Sequence, residues 1–171
     1  MATVCRVDVL YHYMLGGQEA LPGILERGLL PLSAFPESER WRQLEPFFRS
    51  LYAEWAEPLL GPFRNSGVFL SPIDFRQLPG SVLHNRTRIA VPLDAIPADR
   101  SVLTYELEGK RTVLPLTPSA LEQAAAIWTA DLVSEWFNRN PQMMFYYVPQ
   151  VAVFPENGIA VQPEWVEHGD K

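Results

Sequence analysis

The sequence has a single cysteine, Cys5, and lacks any apolar run long enough to cross a bilayer. One cysteine excludes an intrachain disulfide and a zinc site built from several thiolates, and it is consistent with a reducing compartment. A spanning helix needs about 18 or more apolar residues in a row, so no membrane contact is predicted. Arg6 and Asp8 interrupt the apolar N-terminal stretch and no small-residue cleavage site follows, which argues against a signal peptide. We therefore expect a cytoplasmic protein.

The chain also lacks an excess of basic residues. Its formal net charge at pH 7 is -6, the opposite of the electrostatic footprint that proteins use to bind nucleic acid backbones without sequence preference. A local basic groove stays open as an alternative. Apolar residues make up 47% of the chain, which is ordinary for a folded domain and argues against disorder.

Several motifs that are typical of a particular chemistry are missing. The three histidines, His12, His84 and His168, lie far apart without the paired spacing of a metal site, so no metal is predicted. The "LGGQ" stretch at 15–18 is too short for a phosphate-binding loop, and no serine lies in a nucleophile elbow, although a Ser-His-Asp arrangement stays open. The flanks of Cys5 are typical of a buried strand, which favours an inert packed thiol over a nucleophile.

What the sequence does contain is a series of short elements. Its sixteen prolines and ten glycines are spread along the chain and predict many fixed turns. Strands are predicted within residues 3–13, 67–70, 86–97, 101–109, 111–117, 142–155 and near the C-terminus, and helices within 17–28, 36–63 and 117–141. This order is not the regular alternation of a doubly wound fold. It predicts one α+β domain over residues 1–171, with small mixed or antiparallel sheets and a few flanking helices.

Two of the predicted helical regions carry further expectations. In the region from Thr117 to Pro141, Thr117 is the expected N-cap, Pro118 the first helical residue and Pro141 the stop. Its predicted buried stripe consists of Leu121, Ala125, Trp128, Leu132 and Trp136. The region from Pro36 to Phe63 has helical apolar spacing and is interpreted as two amphipathic helices packed on the core, with a mobile lid over a site as the alternative.

His12 stands at the end of the first predicted strand, with a tyrosine on each side. At a strand end, an imidazole can hydrogen-bond to a sugar hydroxyl, and the rings of Tyr11 and Tyr13 can cover a base. The alternative is a strand-end histidine with a purely structural hydrogen bond. A second strand, "GVFLS", presents Phe69 and Ser71 in a similar position.

In this order the motifs resemble the ADP-ribosyltransferase superfamily, which includes diphtheria-like toxins, rifampicin ADP-ribosyltransferases, DNA-modifying toxins and tRNA 2′-phosphotransferases. Many members open with a strand that ends in Tyr-His, here Tyr11-His12, and continue with a helix of the form "IL..GL.P", here "ILERGLLP" at 24–31. Their second motif, an aromatic residue near a serine, corresponds to "VFLS" at 68–71. The late stretch "YYVPQVAVFPENGIAVQPEWV" resembles their third motif, with Gln150 where the family has a glutamate.

The resemblance implies that NAD binds as a substrate and that ADP-ribose is transferred to a protein, a nucleic acid or a small molecule. His12 would hold the adenosine-side ribose, and Phe69 would stack on the nicotinamide. Tyr11, Tyr13 and Ser71 complete the expected nucleotide-binding set. The third-motif residue would stabilise the oxocarbenium-like charge that develops as nicotinamide leaves, and Gln150 brings no full negative charge to that task.

This departure leaves alternatives for the catalytic group. Losing one electrostatic stabiliser typically costs on the order of 10²–10³ in rate. Either an acid from elsewhere acts, with Glu156, Glu106 and Asp131 as candidates, or the chain binds without transferring. The phosphotransferases of the family hold a phosphate with basic residues, a role open to Arg86 and Arg88. The alternative for both arginines is a solvated strand edge.

Three hypotheses follow from these residues. The first is an NAD-binding ADP-ribosyltransferase, and the second is a catalytically inactive binding or interaction module on the same scaffold. Gln150 and the apolar region from Pro36 to Phe63, which could cover a partner surface, favour the second. The third is an unrelated α+β fold in which the motif match is a coincidence.

Overall fold

The computed structural model describes residues 3–14, 18–35, 37–39, 42–46, 54, 56–61, 66–140 and 148–169. Its strands are β1 (Val9–Tyr13), β2 (Val68–Leu70), β3 (Arg88–Pro92), β4 (Ser101–Leu107), β5 (Lys110–Pro115), β6 (Gln150–Val153) and β7 (Val166–Glu167). Its helices include α1 (Leu21–Arg27), α2 (Glu57–Leu60), α3 (Pro118–Ile127) and α4 (Ala130–Arg139). Residues 42–46 are also helical. The α+β class predicted from the sequence is confirmed.

The strands form two small antiparallel sheets. One has the order β1-β3-β7 and the other has the order β2-β6-β4-β5. The sheets meet where Tyr11 of β1 and Ser71, just after β2, exchange backbone hydrogen bonds of 2.7 and 2.8 Å. This junction brings the end of β1 beside β2, as the site described below requires.

The first strand is shorter than its sequence pattern predicts. Pairing begins only at Val9, while Cys5 forms an isolated bridge to Ile73. Cys5 is fully buried, and burial raises the pKa of its thiol to about 12. The thiol is therefore protonated and inert in the folded protein, as the sequence predicts.

The hairpin between β4 and β5 turns at Glu108 and Gly109. Both residues have positive φ angles, 53° and 75°, as a two-residue turn that follows the twist of the strands requires. The turn lies one residue earlier than the predicted Gly109-Lys110 turn, because Lys110 already pairs with Leu107.

The prediction of a single helix from Thr117 to Pro141 is wrong, since the chain forms two helices there. Thr117 caps α3 as predicted, its Oγ1 accepting from the N–H of Ala120 at 3.0 Å. Trp128 then leaves the helical conformation and is fully buried, with its ring edge-on to Tyr105. Thr129 provides a second N-cap, and α4 begins after it. Burial of one large side chain together with a local cap thus interrupts an otherwise continuous helical pattern.

Among the described residues, the core consists of one large and one small apolar cluster. The small cluster covers one face of the four-stranded sheet and includes Ala56, Val102, Ala152 and Phe154, with Leu60, Phe69 and Val113 packed against it. Ala56 and Leu60 come from the region predicted as amphipathic helices, so this part of the region packs on the core. Trp41, Phe48, Leu51 and Trp55, whose spacing carried that prediction, lie outside the described residues, as does the strand-like stretch at 142–147. Across the described ranges, no helix has the length and apolarity needed to cross a membrane.

Candidate functional site

A cavity of about 310 Å³ lies between the end of β1, helix α1 and the start of β2. Its lining includes His12, Ile24, Arg27, Leu30, Phe35 and Val68. Its walls are thus mostly apolar, with the imidazole of His12, the guanidinium of Arg27 and the carboxylate of Glu19 as polar groups. A few polar groups on a mostly apolar wall are typical of small-molecule sites.

The wall of this cavity depends on Gly28, where α1 ends. Gly28 has a φ of 85°, and a Cβ on it would lie 2.5 Å from the carbonyl oxygen of Ile159. Leu29 and Ile159 exchange backbone hydrogen bonds of 2.8 and 2.9 Å directly beside it. A side chain at Gly28 would therefore be strained and would also separate the two segments. The glycine of "ILERGLLP" joins α1 to the C-terminal part of the chain.

His12 is half-buried and lines the cavity. Its Nδ1 lies 3.4 Å from the carbonyl oxygen of Phe69, a contact in which only a protonated Nδ1 can donate. Burial lowers the pKa of His12, and the carbonyl contact opposes that effect only in part, so the ring is neutral at pH 7. In this tautomer Nε2 is an acceptor, and it has no hydrogen-bond partner in the part of the chain that the structure describes.

Arg27, Phe35 and Glu19 also line the cavity, and the sequence did not single them out. The guanidinium carbon of Arg27 lies 5.7 Å from the ring centre of Phe35. Arg27 is exposed and forms no ion pair with the described carboxylates, Glu19 included. The one available signal was the place of Arg27 inside the "ILERGLLP" motif, directly before the glycine.

Tyr11 and Tyr13 are not among the residues that line the cavity with His12. Successive side chains of a strand point to opposite faces, so both tyrosines face away from the histidine between them. The Tyr13 hydroxyl donates to the carbonyl of Ile73 at 2.8 Å and accepts from the N–H of Phe75 at 2.9 Å. Tyr11 packs its ring under a guanidinium and is 3% exposed. Both rings thus stabilise the core.

Phe69 contacts His12 through its backbone carbonyl, and Ser71 pairs with the neighbouring Tyr11 through its backbone. The Phe69 side chain packs in the small cluster beside Val102 and Ala152, while its carbonyl receives the His12 contact. The Ser71 hydroxyl is buried and accepts from the N–H of Ile73 at 3.1 Å.

Gln150 and Glu156 are likewise absent from the lining of the His12 cavity. Gln150 opens β6 opposite Thr104 and is 5% exposed. Glu156 is exposed, pairs with Arg100 at 3.1 Å, and lines a second cavity of about 480 Å³. Leu30 is in the lining of both cavities.

The remaining predicted acids have other surroundings. Glu106 lies 3.5 Å from Arg111 across the hairpin, and Asp131 is exposed in the first turn of α4. Neither lines the His12 cavity. Over the described ranges, no three His, Cys, Asp or Glu side chains are grouped closely enough to hold a metal ion.

Arg88 corrects the expectation of a solvated strand edge. It is buried, it pairs with Asp74 at 2.5 Å and with Glu167 at 2.8 Å, and its guanidinium lies 3.9 Å from the ring centre of Tyr11. Two carboxylates therefore already neutralise it, which leaves it unsuited to hold a phosphate. Arg86 is exposed, and it too is absent from the lining of both cavities.

Comparisons with protein-family models, with curated proteins and with solved structures found no match. What the site can bind is therefore inferred from the chemistry of its own residues. A neutral imidazole with an open acceptor nitrogen, an exposed guanidinium and an exposed aromatic ring meet around one apolar cavity. These groups suit the hydroxyls, the phosphates and the base of a nucleotide.

Proposed function

We propose that the chain is an ADP-ribosyltransferase-like protein that binds NAD in the cavity beside His12. The observation that carries this proposal is the His12 imidazole, which lines a mostly apolar cavity of about 310 Å³ with its Nε2 unpartnered by any described residue. Its neutral form accepts a hydrogen bond from a ribose hydroxyl at pH 7. Small-molecule sites commonly occupy about 300–1,000 Å³, so the cavity suits one nucleoside moiety.

The second cavity offers room for the rest of a dinucleotide. It shares Leu30 with the first and contributes Glu156 and Asn157 to its own lining. An NAD molecule with its adenosine end beside His12 would extend past Leu30 toward these residues. The resemblance of the "YH", "ILERGLLP" and "GVFLS" motifs to NAD-using transferases supports the same ligand.

A second candidate function is a catalytically inactive NAD-binding module. The observation that favours it is the position of the proposed catalytic groups, since neither Gln150 nor Glu156 lines the His12 cavity. Among the described lining residues Glu19 is the one carboxylate, and it lies outside the motifs that resemble the family. Transfer requires stabilisation of the developing ribosyl cation, which a neutral amide provides weakly.

Binding is tested by a thermal-shift titration with NAD on the wild type, His12→Ala and His168→Ala. His168 is exposed and does not line the cavity, so its substitution is the matched control. NAD at about 100 times its dissociation constant should add about 2.7 kcal/mol to the free energy of unfolding. We expect that shift in the wild type and in His168→Ala and its loss in His12→Ala. A wild type that NAD does not stabilise would overturn the proposal.

Turnover is tested by nicotinamide release from NAD without an acceptor. An active transferase cleaves the bond between the ribose C1′ and the nicotinamide nitrogen slowly, with water taking the place of the acceptor. His12→Ala should abolish that release. An NAD-stabilised wild type that releases no nicotinamide would establish the inactive binding module instead.

A further inference from the structure

We infer that Arg27 and Phe35 form a clamp that selects phosphorylated nucleotides at the mouth of the His12 cavity. In this assignment the guanidinium binds a phosphate and the ring stacks on a base. The inference rests on the proposed function and deepens it, because it names the part of the ligand that the site selects.

Arg27 differs from most of the other arginines that the structure describes. Ion pairs with carboxylates engage Arg6, Arg88, Arg100, Arg111 and Arg139. Arg27 lines a cavity and is exposed, and no described carboxylate neutralises it. Glu19 lines the same cavity but forms no ion pair with Arg27. A planar guanidinium with five N–H donors, none of them bonded to a described residue, is well matched to phosphate oxygens.

The guanidinium lies beside the helix and away from its C-terminal end. A Cβ built on Gly23 would lie 3.2 Å from Nη2 of Arg27, so the side chain reaches back one turn along α1. Glycine destabilises a helix interior relative to alanine, and here it leaves space for the guanidinium to lie close to the helix surface. A phosphate at this point would also avoid the negative end of the helix dipole.

Phe35 provides the second half of the clamp. Its side chain is 38% exposed, although it is large and apolar, and its ring lies beside the Arg27 guanidinium. The turn before Phe35 is hydrogen-bonded to the segment that precedes β2. Ser33 and Ser66 each donate a backbone N–H to the other's Oγ at 3.0 Å. An exposed ring on an anchored turn is a suitable platform for a base, since base–aromatic stacking is sequence-tolerant and strong.

The test compares ADP-ribose with adenosine, which has no phosphate, by isothermal titration on the wild type, Arg27→Gln and Arg86→Gln. Arg86 is the matched control because it is an exposed arginine that lines neither described cavity. We expect Arg27→Gln to weaken ADP-ribose binding roughly 10- to 100-fold, the usual effect of losing a hydrogen bond between charged groups. Adenosine binding should be unchanged in Arg27→Gln, and both ligands should bind Arg86→Gln as they bind the wild type.

Two further measurements test the charge of Arg27 and the stacking face of Phe35 separately. Raising the salt concentration should weaken ADP-ribose binding to the wild type more than to Arg27→Gln, because salt screens the exposed charge. Phe35→Leu keeps an apolar side chain but removes the stacking face, and it should weaken both ADP-ribose and adenosine roughly 10-fold.

The outcomes separate the clamp from the proposed function. Unchanged ADP-ribose affinity in Arg27→Gln would overturn the clamp and leave NAD binding at His12 standing. Equal weakening of ADP-ribose and adenosine in Arg27→Gln would also overturn it, since the arginine would then shape the cavity without contacting phosphate. A wild type that binds neither ADP-ribose nor NAD would overturn both.

Discussion

Thr104 and Gln150 lie directly opposite each other on β4 and β6, and both are at least nine-tenths buried. Neither the Thr104 Oγ1 nor the Gln150 Oε1 has a hydrogen-bond partner within the described ranges. Two adjacent buried oxygens without partners are uncommon in a folded protein and are energetically costly. The position that resembles the family's catalytic residue therefore lies in the four-stranded sheet beside a second buried oxygen that has no described partner.

Thr104→Val should stabilise the protein. The substitution keeps the shape of the side chain and removes a buried hydroxyl that has no partner, so the free energy of unfolding should rise by about 1 kcal/mol. Urea denaturation of the two proteins measures the change. Thr112→Val on β5 is the control, because Thr112 is only partly buried and its substitution should have little effect. A loss of stability in Thr104→Val would show that the hydroxyl has a partner in solution.

Asp74→Asn should destabilise the protein strongly. Asp74 is 5% exposed and pairs with the buried Arg88, so its substitution leaves the partly exposed Glu167 as the one described carboxylate that pairs with this guanidinium. Removing one partner of a buried ion pair typically costs about 3–5 kcal/mol.

The matched control for this prediction is Asp8→Asn. It breaks the ion pair between Arg6 and Asp8, in which the side chains are 38% and 66% exposed, respectively. The loss should cost about 1 kcal/mol or less of the free energy of unfolding. Denaturation curves of both variants against the wild type give the comparison. Equal losses in the two variants would contradict the account of Arg88 as a buried charge that depends on its acidic partners.

The stability of the protein should fall on mild acidification because of His12. Burial holds the pKa of His12 below its ordinary value of 6.5. As the pH falls below that value, His12 becomes protonated in the unfolded chain while it stays neutral in the folded protein. The free energy of unfolding therefore decreases until the pH reaches the pKa of the folded state.

His12→Gln should therefore lose less stability than the wild type between pH 7.5 and about 5.5, a window that includes the ordinary histidine pKa and lies above those of the carboxylates. Glutamine retains a group that can donate to the Phe69 carbonyl. Denaturant titrations at the two pH values measure the slopes. Equal slopes in wild type and variant would contradict a folded-state pKa of His12 below its ordinary value.

Much of the local structure was predictable from residue patterns. Alternation and β-branched residues located β1, β2 and β4, and Thr117 and Gly28 marked a helix start and a helix end as capping chemistry requires. The opposite faces of Tyr11 and His12 follow from the same two-residue period, although both residues were expected to bind the ligand.

Other features depended on packing that no local pattern records. The break before Thr129 follows from the complete burial of Trp128, and the burial of Arg88 follows from two carboxylates that come from distant segments. A helical spacing or a basic pair in the sequence is compatible with either outcome, so only long-range contacts could decide between them.

The sequence by itself determined the class of the fold, the inert Cys5 and the place of His12 at a strand end, because periodicity, capping and burial propensity act over a few residues. Only the tertiary structure decided which side chains share a cavity with that histidine. The Leu29–Ile159 bridge and the Tyr11–Ser71 junction draw α1, β2 and the C-terminal part of the chain together. They thereby place Arg27 and Phe35 beside His12 and leave Gln150 in the sheet, since backbone pairing between distant segments fixes the position of every side chain they carry.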